Sequence, residues 1–207
     1  MKTNKMRYDG LLLTILIAST SYIGDEIVFR SRFSKSQIFK ALSDNIIHAL
    51  IGCFSSLLFF SYDFNFSSQA VVYNVAFCTV ISSFIDFDHV LAARSLLWKD
   101  ITSANRRGIL HCTSINITII LLFLIYSYKI NKNNYIIINY MLLLAFLSHQ
   151  IRDANRRGLW FYPFGNSVPI NTYIYIAILS ILPSVLYFIY KYTKPAYRYT
   201  TIVYENV

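Results

Sequence analysis

The chain has 207 residues, of which 56% are hydrophobic and only 14% are charged, and its formal net charge is +9. Soluble domains carry about 25% charged residues, so this composition excludes an ordinary soluble domain. The basic residues lie between apolar runs, where we expect them to meet lipid headgroups or an anionic substrate and not nucleic acid.

Six apolar runs are each long enough to cross a bilayer, since a membrane span needs about 20 mostly apolar residues. In chain order they cover residues 10–29, 41–60, 69–87, 109–128, 135–152 and 170–190. The connectors between them are short and polar, and the chain shows no internal repeat. The sequence therefore predicts an all-α polytopic membrane bundle of about six transmembrane helices. It forms one domain, residues 1–190, followed by a polar tail, residues 191–207.

Polar motif residues lie at the span ends that this topology brings together. Six spans place both termini at one membrane face, and the first, third and fifth connectors at the other. All four histidines of the chain lie next to these three connectors. The residues concerned are Asp44 and His48 in span two, Asp86, Asp88 and His89 in span three, Arg106, Arg107 and His111 around span four, and His149 and Asp153 in span five. We therefore expect them to converge at one face.

The spacing of these residues favours a metal site. Asp44 and His48 are four residues apart, as are His149 and Asp153, so each pair occupies one side of a helix. Mixed imidazole and carboxylate ligands suit a divalent transition metal such as Zn, Mn or Fe. The predicted ligands are His48, Asp86, Asp88, His89, His111, His149 and Asp153. This set suffices for one ion, or for two ions bridged by a carboxylate.

The first functional hypothesis is a membrane-embedded, metal-dependent hydrolase. A metal ion can activate water and polarise a phosphoryl or acyl oxygen. Arg106 and Arg107 would clamp an anionic headgroup, because the guanidinium fork matches phosphate and carboxylate. Asp44 would serve as general base. The substrate would be an anionic lipid, a phosphoester or another anionic amphiphile taken from the bilayer.

Two non-hydrolytic alternatives stay open, so the sequence does not decide whether the chain is an enzyme. In the first, the chain is a pseudoenzyme or scaffold whose polar cluster is a structural network, with Arg106 and Arg107 neutralising Asp86 and Asp88. A single histidine at a membrane interface is more often structural than a ligand. In the second, the chain transports a metal ion or protons. The ionisable residues gather near one face and do not cross the membrane, so transport ranks lowest.

Several segments resemble one family of animal membrane proteins, the transmembrane protein 267 family. The matching motifs are Ala41-Leu-Ser-Asp-Asn-Ile-Ile-His48, Ile85-Asp-Phe-Asp-His89, Arg107-Gly-Ile-Leu-His111, Ser148-His-Gln-Ile-Arg-Asp153 and Arg157-Gly-Leu-Trp-Phe-Tyr-Pro-Phe-Gly165. The resemblance runs from Ala41 to Gly165. It implies a multi-pass membrane protein and does not itself imply a reaction.

More distantly, the order of the motifs is similar to that of the bacterial YdjM-like family, described as membrane-bound metal-dependent hydrolases. The matching positions are His48, Asp86, Asp88, His89, Arg107, Gly108, His111, His149, Asp153, Pro163 and Phe164. This resemblance implies a metal site more directly than a reaction. One position departs from that pattern, because Arg106 stands where the bacterial motif begins with histidine.

Overall fold

The structure, a computed structural model, describes residues 2–63, 66–95, 97 and 108–194, without the side chains of residues 2–9. Seven α-helices make up most of this part of the chain. They are α1 (Lys2–Asp25, continued by a π-helical turn at Glu26–Arg30), α2 (Gln37–Ser61), α3 (Ser68–Phe84), α4 (Asp88–Ala93), α5 (Thr113–Ile130), α6 (Asn133–Arg157) and α7 (Thr172–Thr193). Short 3₁₀ turns lie at Arg32–Lys35, Ile85–Phe87 and Ile109–His111. One small hairpin pairs β1 (Trp160–Phe161) with β2 (Gly165–Asn166).

Six helical segments are long and apolar enough to cross a membrane, which confirms the predicted polytopic helix bundle. The segments are Gly10–Arg30, Gln37–Ser61, Ser68–Ala93, Thr113–Ile130, Asn133–Arg157 and Thr172–Thr193. Large apolar side chains such as Val80, Leu122 and Ile181 are more than half exposed on their outer surfaces. Apolar surface on this scale suits contact with lipid and not with water.

The third and fifth spans end later in the structure than predicted, and local structure explains both differences. The third span continues past residue 87, because the 3₁₀ turn at Ile85–Phe87 leads directly into α4. The fifth span continues from residue 152 to Arg157 and ends at Gly158, whose φ is +70°. A β-carbon at Gly158 would lie 1.9 Å from the carbonyl oxygen of Ser167, so only glycine allows this turn. The division into a bundle and a tail stays a prediction, since residues beyond 194 lie outside the described part.

Helix α6 is the centre of the bundle. Of its most apolar stretch, 61% is buried, against 44% or less in the other spans. It packs against α2, α3, α5 and α7, while α1 covers the groove between α2 and α7. Because α6 is surrounded in this way, the ionisable side chains in its C-terminal part, such as His149, Arg152 and Asp153, must find partners inside the protein.

The ends of four elements meet at one face of the bundle. They are the N-terminal part of α2, the C-terminal ends of α3 and α6, and the 3₁₀ turn before α5. The approach of α2 to α3 depends on Gly52, because a β-carbon there would lie 2.2 Å from the hydroxyl oxygen of Ser82. The described motif residues therefore come from elements that meet at this face, as the topology predicts, while Arg106 and Arg107 lie outside the described residues.

Candidate metal centre

Four side chains from three elements surround one point at this face. The atoms concerned are Nε2 of His111, Nε2 of His149, Oδ1 of Asp86 and Oδ2 of Asp153. His111 Nε2 lies 3.4 Å from His149 Nε2, 3.5 Å from Asp86 Oδ1 and 3.4 Å from Asp153 Oδ2. His149 Nε2 lies 3.5 Å from Asp86 Oδ1 and 3.7 Å from Asp153 Oδ2. We call these four residues the tetrad.

The separations within the tetrad match those of a four-coordinate metal site. Zinc binds imidazole nitrogen and carboxylate oxygen at about 2.0–2.2 Å in tetrahedral sites, which places neighbouring ligand atoms about 3.3–3.6 Å apart. The five separations that involve a histidine nitrogen all fall between 3.4 and 3.7 Å. The donor set, two imidazoles and two carboxylates, is also one that zinc, manganese and iron accept.

Two further histidines flank the tetrad on different sides. His48 Nε2 lies 3.4 Å from Asp153 Oδ1, and the His48 ring stacks on His149 with 3.8 Å between ring centroids. His89 Nε2 lies 3.9 Å from Asp86 Oδ1. His48 is buried, and its Nε2 faces the Asp153 carboxylate without a well-aligned hydrogen bond. A buried imidazole nitrogen held beside a carboxylate in this way fits a metal ligand.

Outer contacts orient both tetrad histidines. The Nδ1 of His111 lies 2.9 Å from Asp88 Oδ1, and its backbone N–H donates to Asp88 Oδ2 at 3.2 Å. The Nδ1 of His149 donates to the carbonyl oxygen of Ser82 at 2.8 Å. Both contacts leave Nε2 directed at the tetrad centre, as the outer partners of metal-binding histidines do. Sequence analysis predicts Asp88 as a ligand, whereas the structure places it in this outer layer.

Gly108 is required by the position of Asp88. A β-carbon at Gly108 would lie 2.3 Å from both Cγ and Oδ2 of the Asp88 carboxylate. The glycine therefore lets the carboxylate reach the first turn of the Ile109–His111 segment, where it accepts from the His111 backbone. This explains why a glycine stands three residues before the histidine in the Arg107-Gly-Ile-Leu-His111 motif.

The carboxylates around His111 favour a cation. Burial by itself lowers the pKa of a histidine, but hydrogen bonds to Asp153, Asp86 and Asp88 outweigh it and raise the pKa of His111 to about 11. The ring lies outside the membrane spans, in the turn before α5. A proton or a metal ion supplies the positive charge that this group of carboxylates stabilises.

An ion-pair network lies directly behind the tetrad. Arg152 is fully buried, with its guanidinium nitrogens 2.6 Å from Asp44 Oδ1 and 3.0 Å from Asp25 Oδ1. Arg156 contacts Asp44 Oδ2 at 3.1 Å and Asp153 Oδ1 at 2.5 Å. The network thereby joins α1, α2 and α6 and fixes one oxygen of Asp153.

Of the three predicted catalytic residues, Asp44 is the one that the structure describes, and it lies in the ion-pair network beside the tetrad. Both oxygens of Asp44 face arginines, which suits a positioning role better than the predicted role of general base. Arg106 and Arg107 lie outside the described residues, so their role as an anion clamp stays a prediction. Sequence reasoning missed the Arg152–Asp25 pair and the Ser82 carbonyl. The sequence does indicate a buried partner for Arg152, because an arginine inside a membrane span needs one.

A polar cavity of about 320 Å³ opens beside the network, between the end of α1, the end of α6 and the start of α7. Charged and amide side chains share its wall with three aromatic rings. The lining residues are Tyr22, Asp25, Glu26, Phe29, Arg30, Asn155, Arg156, Asn171, Thr172 and Tyr173. Arg156 lies over the Phe29 ring at 4.3 Å and also contacts Asp153. One side chain therefore links the cavity to the tetrad.

Comparison with known proteins identifies relatives over most of the chain. The chain is 29% identical to transmembrane protein 267 of Bos taurus over 187 residues, which cover 89% of the chain and 85% of the relative. The Xenopus laevis protein of the same name is 29% identical over 196 residues, 89% of each. The Danio rerio protein is 33% identical over 146 residues, which cover 70% of the chain and 64% of the relative. Neither a family model nor a solved structure matches the chain.

These homologues support the transmembrane protein 267 family that the motifs resemble. The similarity to the YdjM-like family stays a prediction. Since the relatives are named as transmembrane proteins and six helices are apolar enough to span a bilayer, the chain is an integral, multi-pass membrane protein in contact with lipid.

Proposed function

We propose that this chain is a membrane-embedded, metal-dependent hydrolase that acts on an anionic, lipid-like substrate. The observation that carries the proposal is the tetrad, whose atoms stand at the separations of a four-coordinate transition-metal site. The buried Nε2 of His48, which faces Asp153 Oδ1 at 3.4 Å, adds a further imidazole beside the tetrad. Ionisable groups inside a bilayer are costly, which favours a functional role for such a cluster.

In this proposal some residues bind the ion, others orient the ligands, and others leave the site accessible. His111 and His149 would bind the ion through Nε2, and Asp86 and Asp153 through carboxylate oxygens. Asp88 fixes the orientation of the His111 ring, and the Ser82 carbonyl fixes that of the His149 ring. A divalent ion, when bound, supplies Lewis acidity to a phosphoryl or acyl oxygen and activates water. Asp86 and Asp153 are 21% and 15% exposed, whereas His149 is buried, so we expect water to enter from the carboxylate side.

The cavity supports an amphiphilic substrate. It lies where spans one, five and six end, the level at which lipid headgroups meet a membrane protein. Its charged and amide groups suit a polar headgroup, and Tyr22, Phe29 and Tyr173 provide aromatic surface beside them. Arg156 is well placed to contact an anionic group, because its guanidinium reaches both the cavity and Asp153. Asp44 and Arg152 would position Arg156 and α6 and take no part in the proton transfer itself.

Metal content tests the proposal most simply. The protein would be purified in mild detergent, supplied with zinc or manganese, desalted and measured by mass spectrometry for bound metal. We expect at least one equivalent in the wild type and a loss of about one equivalent in His149→Ala and in Asp153→Asn. Asp63→Asn provides the matched control, because Asp63 pairs with Lys194 at the opposite face. Full occupancy in His149→Ala would contradict the proposal.

A metal site alone does not establish hydrolysis, so activity needs its own measurement. Loaded protein would be assayed on phosphoester and acyl-ester amphiphiles, in mixed micelles, before and after chelation. We expect turnover of one class that chelation abolishes and that Asp63→Asn retains. Bound metal without turnover of either class would show that the chain binds metal and would contradict the proposal that it is a hydrolase.

A second candidate function is a non-catalytic scaffold or pseudoenzyme. The extensive pairing of Arg152 and Arg156 with Asp25, Asp44 and Asp153 favours it, since such a network also serves as structure. This alternative predicts no retained metal in the wild type and a melting temperature that chelation leaves unchanged.

A further inference from the structure

The cluster contains more metal-binding side chains than one ion requires. A single tetrahedral ion is satisfied by the tetrad, which leaves His48 and His89 without a role. Both rings nevertheless turn Nε2 toward a tetrad carboxylate, His48 toward Asp153 and His89 toward Asp86. Two surplus imidazoles on different sides of one cluster call for an explanation beyond a single ion.

The ligand atoms separate into two groups that share one residue. In the first group, donor atoms of His48, His149, Asp153 and Asp86 all lie within 4.8 Å of one another. In the second group, donor atoms of Asp86, His89 and His111 satisfy the same limit. Asp86 is common to both groups, as a bridging ligand is, and its Oδ1 lies 3.5 Å from His149 Nε2 in the first group and 3.5 Å from His111 Nε2 in the second. The two groups touch through His111 and His149, whose Nε2 atoms are 3.4 Å apart.

The burial of the two groups differs in a way that suits two unlike sites. His48 and His149 are buried, and the His48 Nε2 faces Asp153 Oδ1 at 3.4 Å. His89 is 30% exposed and Asp86 is 21% exposed, so the second group opens to the surface of the bundle. A closed group binds an ion with protein ligands alone, whereas an open group leaves positions for water or substrate.

Charge also permits a second ion. Asp86 and Asp153 together neutralise one divalent ion, and Asp88 contributes a third carboxylate in contact with His111. A second divalent ion then leaves the centre with a positive excess. A positive excess of this kind would bind and polarise an anionic headgroup.

We propose that the centre is dinuclear, with Asp86 bridging two divalent transition-metal ions. His48, His149 and Asp153 complete the closed site, and His89 and His111 complete the open site. The tetrad donors divide between the two ions when both are bound. Paired ions in hydrolytic centres stand about 3.5–4 Å apart, a separation that one carboxylate spans. This inference rests on the proposed metal centre and adds the number of ions and their ligands.

Metal stoichiometry separates this inference from the proposed function. Wild-type protein loaded with Mn²⁺ and desalted is expected to retain two equivalents. His89→Gln, which keeps the size of an exposed side chain, is expected to retain one, because only the open site loses a ligand. Asp86→Asn is expected to retain less than one. Asp63→Asn is the control and retains two. Size-exclusion profiles and helical circular dichroism confirm that each variant is folded.

Electron paramagnetic resonance gives an independent readout. Two Mn²⁺ ions bridged by a carboxylate couple magnetically, so the wild type is expected to show a broadened, coupled spectrum. His89→Gln is expected to show the six-line spectrum of an isolated ion. One equivalent in the wild type, unchanged in His89→Gln and with an isolated-ion spectrum, overturns the dinuclear centre while leaving the metal centre intact. No retained metal in the wild type overturns both.

Discussion

The two halves of the bundle bury different kinds of side chain. The half away from the tetrad, which we call the aromatic half, is filled by rings from α2, α6 and α7. Its main members are Phe59, Phe60, Tyr62, Tyr140, Tyr187 and Tyr190. Phe59 packs edge-on to Tyr187, Tyr62 stacks on it, and the Tyr190 hydroxyl donates to Asn133. The half around the tetrad, the histidine half, instead buries His48, Asp88, His111, His149 and Arg152.

This difference indicates which half serves stability and which serves a ligand. Aromatic packing lowers the free energy of the folded state without external help. Buried ionisable groups cost desolvation energy that internal pairing only partly returns. Residues in the aromatic half should therefore affect stability alone, whereas several residues in the histidine half should affect metal binding more than stability.

The largest effect on stability is expected from Arg152→Met. The substitution leaves Asp25 and Asp44 with a lost partner in a buried network. Removing one member of a buried ion pair costs about 3–5 kcal/mol. Thermal unfolding in detergent, followed by circular dichroism, should show a large fall in melting temperature. A melting temperature equal to that of the wild type would show that the network is not structural.

Gly108→Ala is expected to impair metal binding severely. The new methyl group would meet the Asp88 carboxylate at 2.3 Å and push it away from His111. Loss of an outer partner of a metal-binding histidine lowers metal affinity by about 10–100-fold. Competition with a fluorescent chelator would measure this change. Ser83→Ala, in α3 near the same face but bonded to Asn45 and not to the tetrad, should keep the wild-type affinity.

Asp88→Asn tests the same contact with a smaller change. The amide keeps the volume of the carboxylate but loses its charge toward His111. We expect metal affinity to fall toward the lower end of the roughly 10–100-fold range for outer partners. Were Asp88 itself a ligand, as the sequence predicts, its loss would lower the number of bound ions and not only the affinity. Titrations at saturating metal distinguish the two results.

The smallest effect is expected from Tyr190→Phe in the aromatic half. The variant loses one hydrogen bond to Asn133 and keeps the ring in the core. A hydrogen bond of this kind contributes about 0.5–1.5 kcal/mol. The melting temperature should therefore fall slightly, and metal occupancy should equal that of the wild type. A loss of metal in this variant would show that the two halves do not have separate roles.

The spans and their common face follow from the sequence, because runs of apolar residues and an even number of crossings determine both. The pairing of His149 with Asp153 follows as well, since four residues make one helical turn. The function of Asp88 does not follow. Asp86 and Asp88 are two residues apart. Only the local backbone path from Ile85–Phe87 into α4 decides that Asp86 contributes an oxygen to the tetrad, whereas Asp88 contacts the Nδ1 of His111 from outside it.

Long-range pairing is the other part that the sequence leaves open. Asp44 stands four residues from His48, which predicts a shared role, yet its oxygens contact Arg152 and Arg156 from α6. Arg152 also pairs with Asp25, 127 residues away. The rotation of α6 against α1 and α2 sets these contacts, and that rotation depends on side-chain packing across three helices.

X-ray absorption spectroscopy of the purified, zinc-loaded wild-type protein tests whether the tetrad holds a metal ion. We expect a first shell of nitrogen and oxygen at about 2.0–2.2 Å, with the outer-shell pattern of imidazole rings that His149→Ala diminishes. A first shell of water oxygens alone, with no imidazole pattern and no change in His149→Ala, would contradict a metal centre built from the tetrad.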